Sequence, residues 1–374
     1  MTVSEATNPQ EWDAFLSAQP YRPFLQSWTM GEVYRDTKQE PIRLEVRDEG
    51  KIVAICQAIL VPARRGRHLS IPYGPVIGSK QTAESSTQCL NMLLEELARI
   101  ARNQRCTFIR MSPFWPLRTA FCVPRTAVPS PLHLLAEHIW YLPLQTPDPW
   151  SSSQTGNGQR ATGNESLTAV TEEHLLKNMR KTTRNLVRRA ERDGVVIEAS
   201  QDPNREIDHF IALHEETRQR HGFTPYTNTF FRAQVRRFAE RGECTLYLAR
   251  YQGEVAAASI HMHAFGETSY HHGASTHRLS KVPASYLLQW TAIRDAIRRG
   301  DRIYNFWGIA PVTLDSDGSP TVTDHDHPFS GVTLFKTGFG GQLLPLTHCM
   351  DFPLSARYHL TRAFELLRKW RRGF

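Results

Sequence analysis

The chain has 374 residues, with 45 Lys plus Arg against 37 Asp plus Glu and a net charge of +8. That length is too great for one ordinary core and predicts about two domains. The moderate basic excess predicts an anionic partner: nucleic acid, a phosphorylated substrate or an acidic membrane surface.

No run of about eighteen apolar residues occurs, so no membrane-spanning helix is expected. The six cysteines (Cys56, Cys89, Cys106, Cys122, Cys244, Cys349) form no CxxC pair, which argues against a zinc ribbon or a redox dithiol. The opening "MTVSEATNPQEW" has neither a basic nor an apolar signal region. A cytoplasmic protein with reduced thiols is the expectation.

Along the chain, "IRLEVRDEGKIVAICQAILV" reads as a β-hairpin turning at Asp48 to Gly50. A helix over Leu90 to Asn103 and a short strand, "CTFIRMSP", follow. Residues 146–166, rich in Ser, Gly and Asn without hydrophobic period, predict a linker. Thr171 then caps a predicted helix with Glu172 and Glu173 in its first turn. Leu175, Leu176, Met179, Leu186, Val187 and Ala190 keep one helical period up to Gly194.

On that helix Lys177, Lys181, Arg184, Arg188 and Arg192 recur at steps of three and four and line one face. A solvated face is the plain reading of such a run. But no acidic residue lies between Lys177 and Ala190. Uncompensated charge of this kind points to the phosphates of tRNA, a pyrophosphate-bearing substrate or lipid headgroups.

Two further helices, "FIALHEETRQR" and "NTFFRAQVRRFAERG", precede a second hairpin, "CTLYLARYQGEVAAASIHMH", turning at Gln252 and Gly253. A third strand "ETSYHHGAS", a helix over Tyr286 to Arg299 and the strand "RIYNFWGI" complete the series. The hairpin turns lie 203 residues apart and the later strands about 196, which predicts a duplicated unit. This order predicts an α/β fold, each half a mixed, mostly antiparallel sheet flanked by helices, and its layout resembles two GNAT acyltransferase domains. The expected division is 1–150, a linker at 151–166, 167–345, and a basic amphipathic helix in 346–374 returning to the first domain. That last helix either rests on an anionic membrane or packs its apolar side on the first domain.

Five stretches, in order, resemble the FemABX family of peptidoglycan interpeptide-bridge aminoacyltransferases. They are "FLQSWTMGEVYRD", "IPYGPVI", "NMRKTTRNLVRRAERDGVVIE", "LLQWTAIRDAIRRGDRIYNFWGI" and "GVTLFKTGFGGQLLP". The resemblance implies two GNAT-like domains. It also implies an amino acid taken from aminoacyl-tRNA and passed to a stem-peptide amine of a muramyl-pentapeptide precursor, lipid-linked or UDP-linked. The basic helix would then meet tRNA or precursor phosphate.

The resemblance also implies site residues. Acyl transfer builds negative charge on the carbonyl oxygen, and a fixed cation beside it lowers the barrier. Lys336 matches the lysine to which the family gives that role, with aromatic Phe335 before it. Gly338, Gly340 and Gly341 permit close backbone approach, either to substrate or in a plain turn. Arg218 or Arg220, with Tyr226, falls where the family contributes an arginine to the precursor's diphosphate. Tyr270 lies in a strand that faces the family's cleft, or is a core tyrosine. One position departs: where the family often carries a first-helix lysine, this chain has Tyr34 with Arg35 beside it, and Arg35 is the candidate replacement. Arg64, Arg65 and Arg67 could serve the same need or form a solvated loop.

No metal or cofactor is expected. His261, His263, His271, His272 and "DHDHP" fix no third convergent ligand, and there is no GxSxG, Walker or Rossmann motif. The alternative is an acyl-CoA-dependent GNAT enzyme. Against it, "HRLSKVPASYLLQW" keeps Arg278 and Ala284 but lacks the pyrophosphate-loop glycines, and Pro283 removes an N–H donor. A non-catalytic RNA- or membrane-binding protein is the third reading, and it leaves "FKTGFGG" without a purpose.

Overall fold

The two hairpin turns adopt the same backbone conformation. Glu49 and Gly50 have φ of 47° and 77°, and Gln252 and Gly253 have 51° and 83°. Positive φ at both central residues matches the twist of the paired strands, and glycine takes the second position without steric cost. A register shift precedes each turn, at Val46/Arg47 and at Ala249/Arg250. Local turn chemistry therefore repeats to the residue.

The computed structural model describes residues 1–63, 66–117, 124, 126–150, 168–221, 226–316 and 318–372, with the side chains of Arg220, His221 and Arg372 left out. Arg64, Arg65, Cys122 and the Arg220 side chain thus lie outside the described residues. The described cysteines are free thiols. The chain divides into two units, one holding Met1–Glu137 and Pro345–Phe374, the other most of the span from His138 to Leu344.

In the first unit the sheet runs Thr2–Glu5, Pro41–Asp48, Lys51–Val61, His68–Pro72, Phe108–Ser112, Met350–Pro353 and Val128–Pro129. In the second it runs Val196–Ala199, Cys244–Tyr251, Glu254–Ala264, Glu267–Ser275, Ile303–Gly308, His138–Pro143 and Gln342–Pro345. Each sheet has one parallel pair, His68–Pro72 with Phe108–Ser112 and Glu267–Ser275 with Ile303–Gly308. A helix makes each crossover, Ala83–Asn103 and Ala284–Arg299. Each helix buries its apolar stripe on its own sheet, Leu90, Leu93 and Leu97 on one, Leu288, Ala292 and Ile293 on the other.

The division differs from the sequence expectation. It falls between Glu137 and His138 rather than at residue 150. Strand His138–Pro143 pairs antiparallel with Ile303–Gly308. Beyond it, Gln145–Thr146 pairs with Thr168–Ala169. Both flanks of the Ser/Gly-rich stretch thus belong to the second unit. Composition marks a break in pattern but carries no record of what its flanks pair with.

Within the first unit the "FLQSW" and "YGP" stretches meet. The buried Gln26 amide donates to the carbonyls of Gln57 (3.0 Å) and Pro72 (2.8 Å), and its oxygen accepts from the Gln57 N–H (2.8 Å). A side chain on Gly74 would collide with that amide, at 2.6 Å. Ser27 caps the helix Trp28–Asp36 through the Met30 N–H.

Arg110 ties the chain's last helix, Tyr358–Arg372, to the same sheet. Its guanidinium donates to both oxygens of buried Asp351 (2.7 and 2.9 Å) and both oxygens of Glu365 (3.0 and 2.7 Å). Tyr358 Oη donates to Asp351 (3.0 Å), and Arg362 to the Pro129 carbonyl (2.6 Å). The helix therefore packs on the first unit through its polar side. Of the two alternatives the sequence left open, packing of its apolar side on the first unit is not what the structure has. Breaking a buried pair leaves a charge without a partner, so Arg110→Met should cost about 3–5 kcal/mol in urea unfolding. A loss under about 1 kcal/mol would deny the network that anchoring role.

Candidate functional site

The basic segment is two helices, Glu172–Asn178 and Lys181–Arg192, rather than the single helix its hydrophobic period predicts. Met179 and Arg180 between them are extended, with ψ of 144° and 135°. The break is held by another element. The Arg180 N–H donates to the Gly338 carbonyl (2.9 Å), and its guanidinium to the Leu334 carbonyl (3.1 Å) and to Thr337 Oγ1 (3.3 Å). Arg180 thereby caps the C-terminus of helix Ser330–Thr337.

That helix carries Lys336. Its β-branched residues Val332, Thr333 and Thr337 favour strand by propensity. The hydroxyls of Thr333 and Thr337 instead donate to carbonyls one turn back, Phe329 (2.8 Å) and Thr333 (2.9 Å). The glycines after it answer a packing need. A Cβ on Gly338 would lie 2.2 Å from Thr183 Oγ1, and one on Gly341 would lie 2.4 Å from the Tyr141 carbonyl. Gly340 and Gly341 have φ of 82° and 110°. The close approach they permit is to the protein's own chain. The Trp140 indole then binds the Gly340 carbonyl (2.7 Å).

Lys336 is 6 % exposed. Its Nζ donates to the Gly308 carbonyl (2.7 Å) and stands 5.6 Å from the centre of the Tyr270 ring. Burial pulls its pKa down to about 7. Phe335 packs edge-on against Tyr286 and Phe339. The strand supplying Gly308 changes register between Asn305 and Gly308, with Trp307 at φ 68°.

Below Tyr270 lies a buried polar chain that the sequence did not reveal. Gln289 donates to Tyr304 Oη (2.6 Å), which contacts His261 Nε2 (2.9 Å). The Gln289 amide is the donor there, so the tyrosine hydroxyl donates onward and His261 Nε2 accepts. Burial holds His261 well below its ordinary pKa, which agrees with a neutral ring. His261 stacks on Tyr270 at 5.3 Å. Burial pushes the Tyr270 hydroxyl up to about 12. Tyr270 thus packs as part of the core and also forms a wall beside the lysine.

Other predicted residues are committed elsewhere. Arg35 is held by Glu32 and Glu40 (both 2.7 Å), so it is no open replacement for a first-helix lysine. Arg218 pairs with Glu215 on its own helix. Tyr226 stacks on Phe230 (4.5 Å) and meets His272 edge-on (5.5 Å). Arg184 donates to the carbonyls of Leu176 (2.8 Å) and Lys177 (3.1 Å), closing the preceding helix. By contrast Lys177, Lys181, Arg188 and Arg192 are exposed and make no ion pair among the described residues.

The first unit holds a group that could bind a metal, His133, Glu137 and His348, with ligand atoms within 4.8 Å of one another. Glu137 accepts from His133 (3.0 Å), His348 (2.8 Å) and the Cys349 N–H (2.8 Å). Burial works against its ionised form, yet these bonds hold Glu137 down at about 2. His348 Nε2 also meets the Ser130 carbonyl (2.9 Å), so both ring nitrogens face acceptors, and the Glu137 carboxylate raises the ring's pKa. With Glu137 and His348 211 positions apart, no sequence spacing announces this group.

A model described as the FemAB family matches residues 7–254 and 239–365. A structure titled "Crystal structure of FemX" is similar over 98 % of this chain and 100 % of that one, at 17 % identity and TM-score 0.73. A tandem GNAT protein from the clavulanic acid biosynthesis pathway is similar over 95 % and 98 %, at 12 % identity and TM-score 0.53. The L-PGS structure from Bacillus licheniformis is similar over 98 % and 99 %, at 13 % identity and TM-score 0.51. Curated proteins give no match. At these identities the structural likenesses establish the fold: two GNAT-like halves.

The Lys336 pKa has a consequence for stability. An unfolded lysine titrates near 10.5 and the folded one at about 7. Between those values the unfolded chain binds the extra proton, so stability rises with pH through that window. Below pH 7 the full cost of the buried ammonium is present. The stability gained on Lys336→Met should be largest near pH 6.5 and shrink by pH 9.5, read as urea midpoints. A gain independent of pH would place the amine in water.

Proposed function

The chain belongs to the FemAB family, and we propose on that premise that it moves an amino acid from aminoacyl-tRNA to a stem-peptide amine of a muramyl-pentapeptide precursor, UDP-linked or lipid-linked. The observation that carries this reading is the buried Lys336 amine, held by the Gly308 carbonyl beside Tyr270. Such an amine suits acyl transfer through a tetrahedral oxyanion. The acceptor nitrogen attacks the ester carbonyl, the N–C bond forms and the C–O bond to tRNA breaks. The amine loses a proton and the departing tRNA hydroxyl gains one. Lys336 meets the developing oxyanion as ammonium, since an adjacent anion raises a lysine pKa. Phe335 and Tyr270 keep water from that charge and so strengthen the interaction.

The exposed cations Lys177, Lys181, Arg188 and Arg192 supply a surface for donor or precursor phosphates. The acyl-CoA alternative is weaker, because Arg278 is engaged by Glu254 and Pro283, at the N-cap of the helix after it, offers no N–H. An arginine held by a carboxylate is poorly placed to hold a diphosphate.

Transfer is tested by offering labelled aminoacyl-tRNAs and, separately, acetyl-CoA, each with UDP-linked and lipid-linked muramyl pentapeptides. Label should pass from tRNA to a precursor and fall roughly 10²–10³-fold in Lys336→Ala. Passage from acetyl-CoA alone would replace this reading with the GNAT one.

A further inference from the structure

We propose that helix Tyr358–Arg372 docks the chain on an anionic lipid bilayer. Its two long faces are reversed relative to an ordinary surface helix. Tyr358, Thr361, Arg362 and Glu365 face the first unit, and Tyr358 is 1 % exposed. The opposite face carries Leu360, Leu367 and Trp370, spaced by seven and three, with Leu366 beside them. Leu360 is 76 % exposed and Trp370 80 %.

This orientation is fixed. The Arg110 guanidinium grips Glu365 from inside the unit, and Tyr358 binds Asp351. Rolling the helix to hide Leu360 and Trp370 would take Glu365 away from buried Arg110 and the Tyr358 hydroxyl away from buried Asp351. The apolar stripe is therefore held outward by charge interactions on the other face.

What covers it is indicated by its borders. Arg357, Arg368 and Arg371 are exposed along one edge of the stripe, and no carboxylate lies between Glu365 and Arg372. An apolar strip bordered by arginines, with an indole near its end, matches the boundary between acyl chains and anionic headgroups. A second copy fits less well. Two such stripes facing each other would bring their arginine borders together. A nucleic acid would leave the leucines uncovered.

The test is co-sedimentation of the full chain with phosphatidylcholine vesicles, with and without 30 mol % (roughly a third) phosphatidylglycerol. Binding is expected with the anionic vesicles, about tenfold weaker without them. Leu367→Glu/Trp370→Glu should abolish it. Arg368→Glu/Arg371→Glu should weaken it about tenfold, with unfolding midpoints unchanged in both, since these side chains face solvent. Absence of binding to anionic vesicles, or binding unaffected by both pairs, would overturn the proposal. So would lipid-free self-association that the first pair abolishes, which would assign the stripe to a second copy. Neither tRNA nor acceptor is present, so this result stands or falls separately from the transfer assay.

Discussion

A lysine amine with one carbonyl partner among aromatic rings sets the terms for the second unit. Desolvation of an ammonium is costly, and among the described residues Lys336 has the Gly308 oxygen and the Tyr270 ring face to offset it. The helix that carries it must therefore be held in place by contacts other than its own. Arg180 supplies them at the C-terminal carbonyls. Gly338 and Gly341 let Thr183 and the Tyr141 carbonyl come close enough to fill the space. The register shift before Gly308 brings the accepting carbonyl to the amine. Each arrangement taken alone is strained or poorly capped, and each is made stable by the next.

Much of the architecture was legible because it is local. Turns at Asp48–Gly50 and Gln252–Gly253 announce themselves by residue type, and the duplication follows from their spacing. The crossover helices show their stripes directly. What escaped was decided at long range. The break at Met179 and Arg180 interrupts a continuous hydrophobic period, and its cause lies about 160 residues away at Gly338. Val332, Thr333 and Thr337 have the propensity of strand residues, and they lie in a helix. Strand His138–Pro143 looked like the end of the first domain because nothing in it names its partner, Ile303–Gly308.

The site was legible in its chemistry and not in its surroundings. Lys336 could be singled out as the cation of an acyl transfer. That it would be buried, with Tyr304, Gln289 and His261 beneath its neighbour, depends on pairings between strands distant in sequence. The arginines show the same limit from the other side. Arg35 and Arg218 looked like phosphate ligands by type and position, yet each has carboxylates within reach that a linear reading does not weigh. Charge counted along a sequence says how many cations exist; only the fold says which of them are already neutralised.

The basic helix Lys181–Arg192 can be judged on that ground. Its N-terminus has no side-chain cap and no acid in the first turn, and Lys181 opposes the helix dipole there. By local rules it is a poor helix. It persists because Thr183, Val187 and Ala190 are buried and because it packs against Ala284–Arg299. Those contacts use one face. The other face, with Lys181, Arg188 and Arg192, contributes nothing to folding, and like charges at helical spacing weaken it slightly, by about 0.2–0.5 kcal/mol per pair. A face that folding does not require and mildly opposes is one whose sequence is set by what it meets. This face and the rim of the C-terminal helix each offer an anionic partner exposed cations that no carboxylate among the described residues holds.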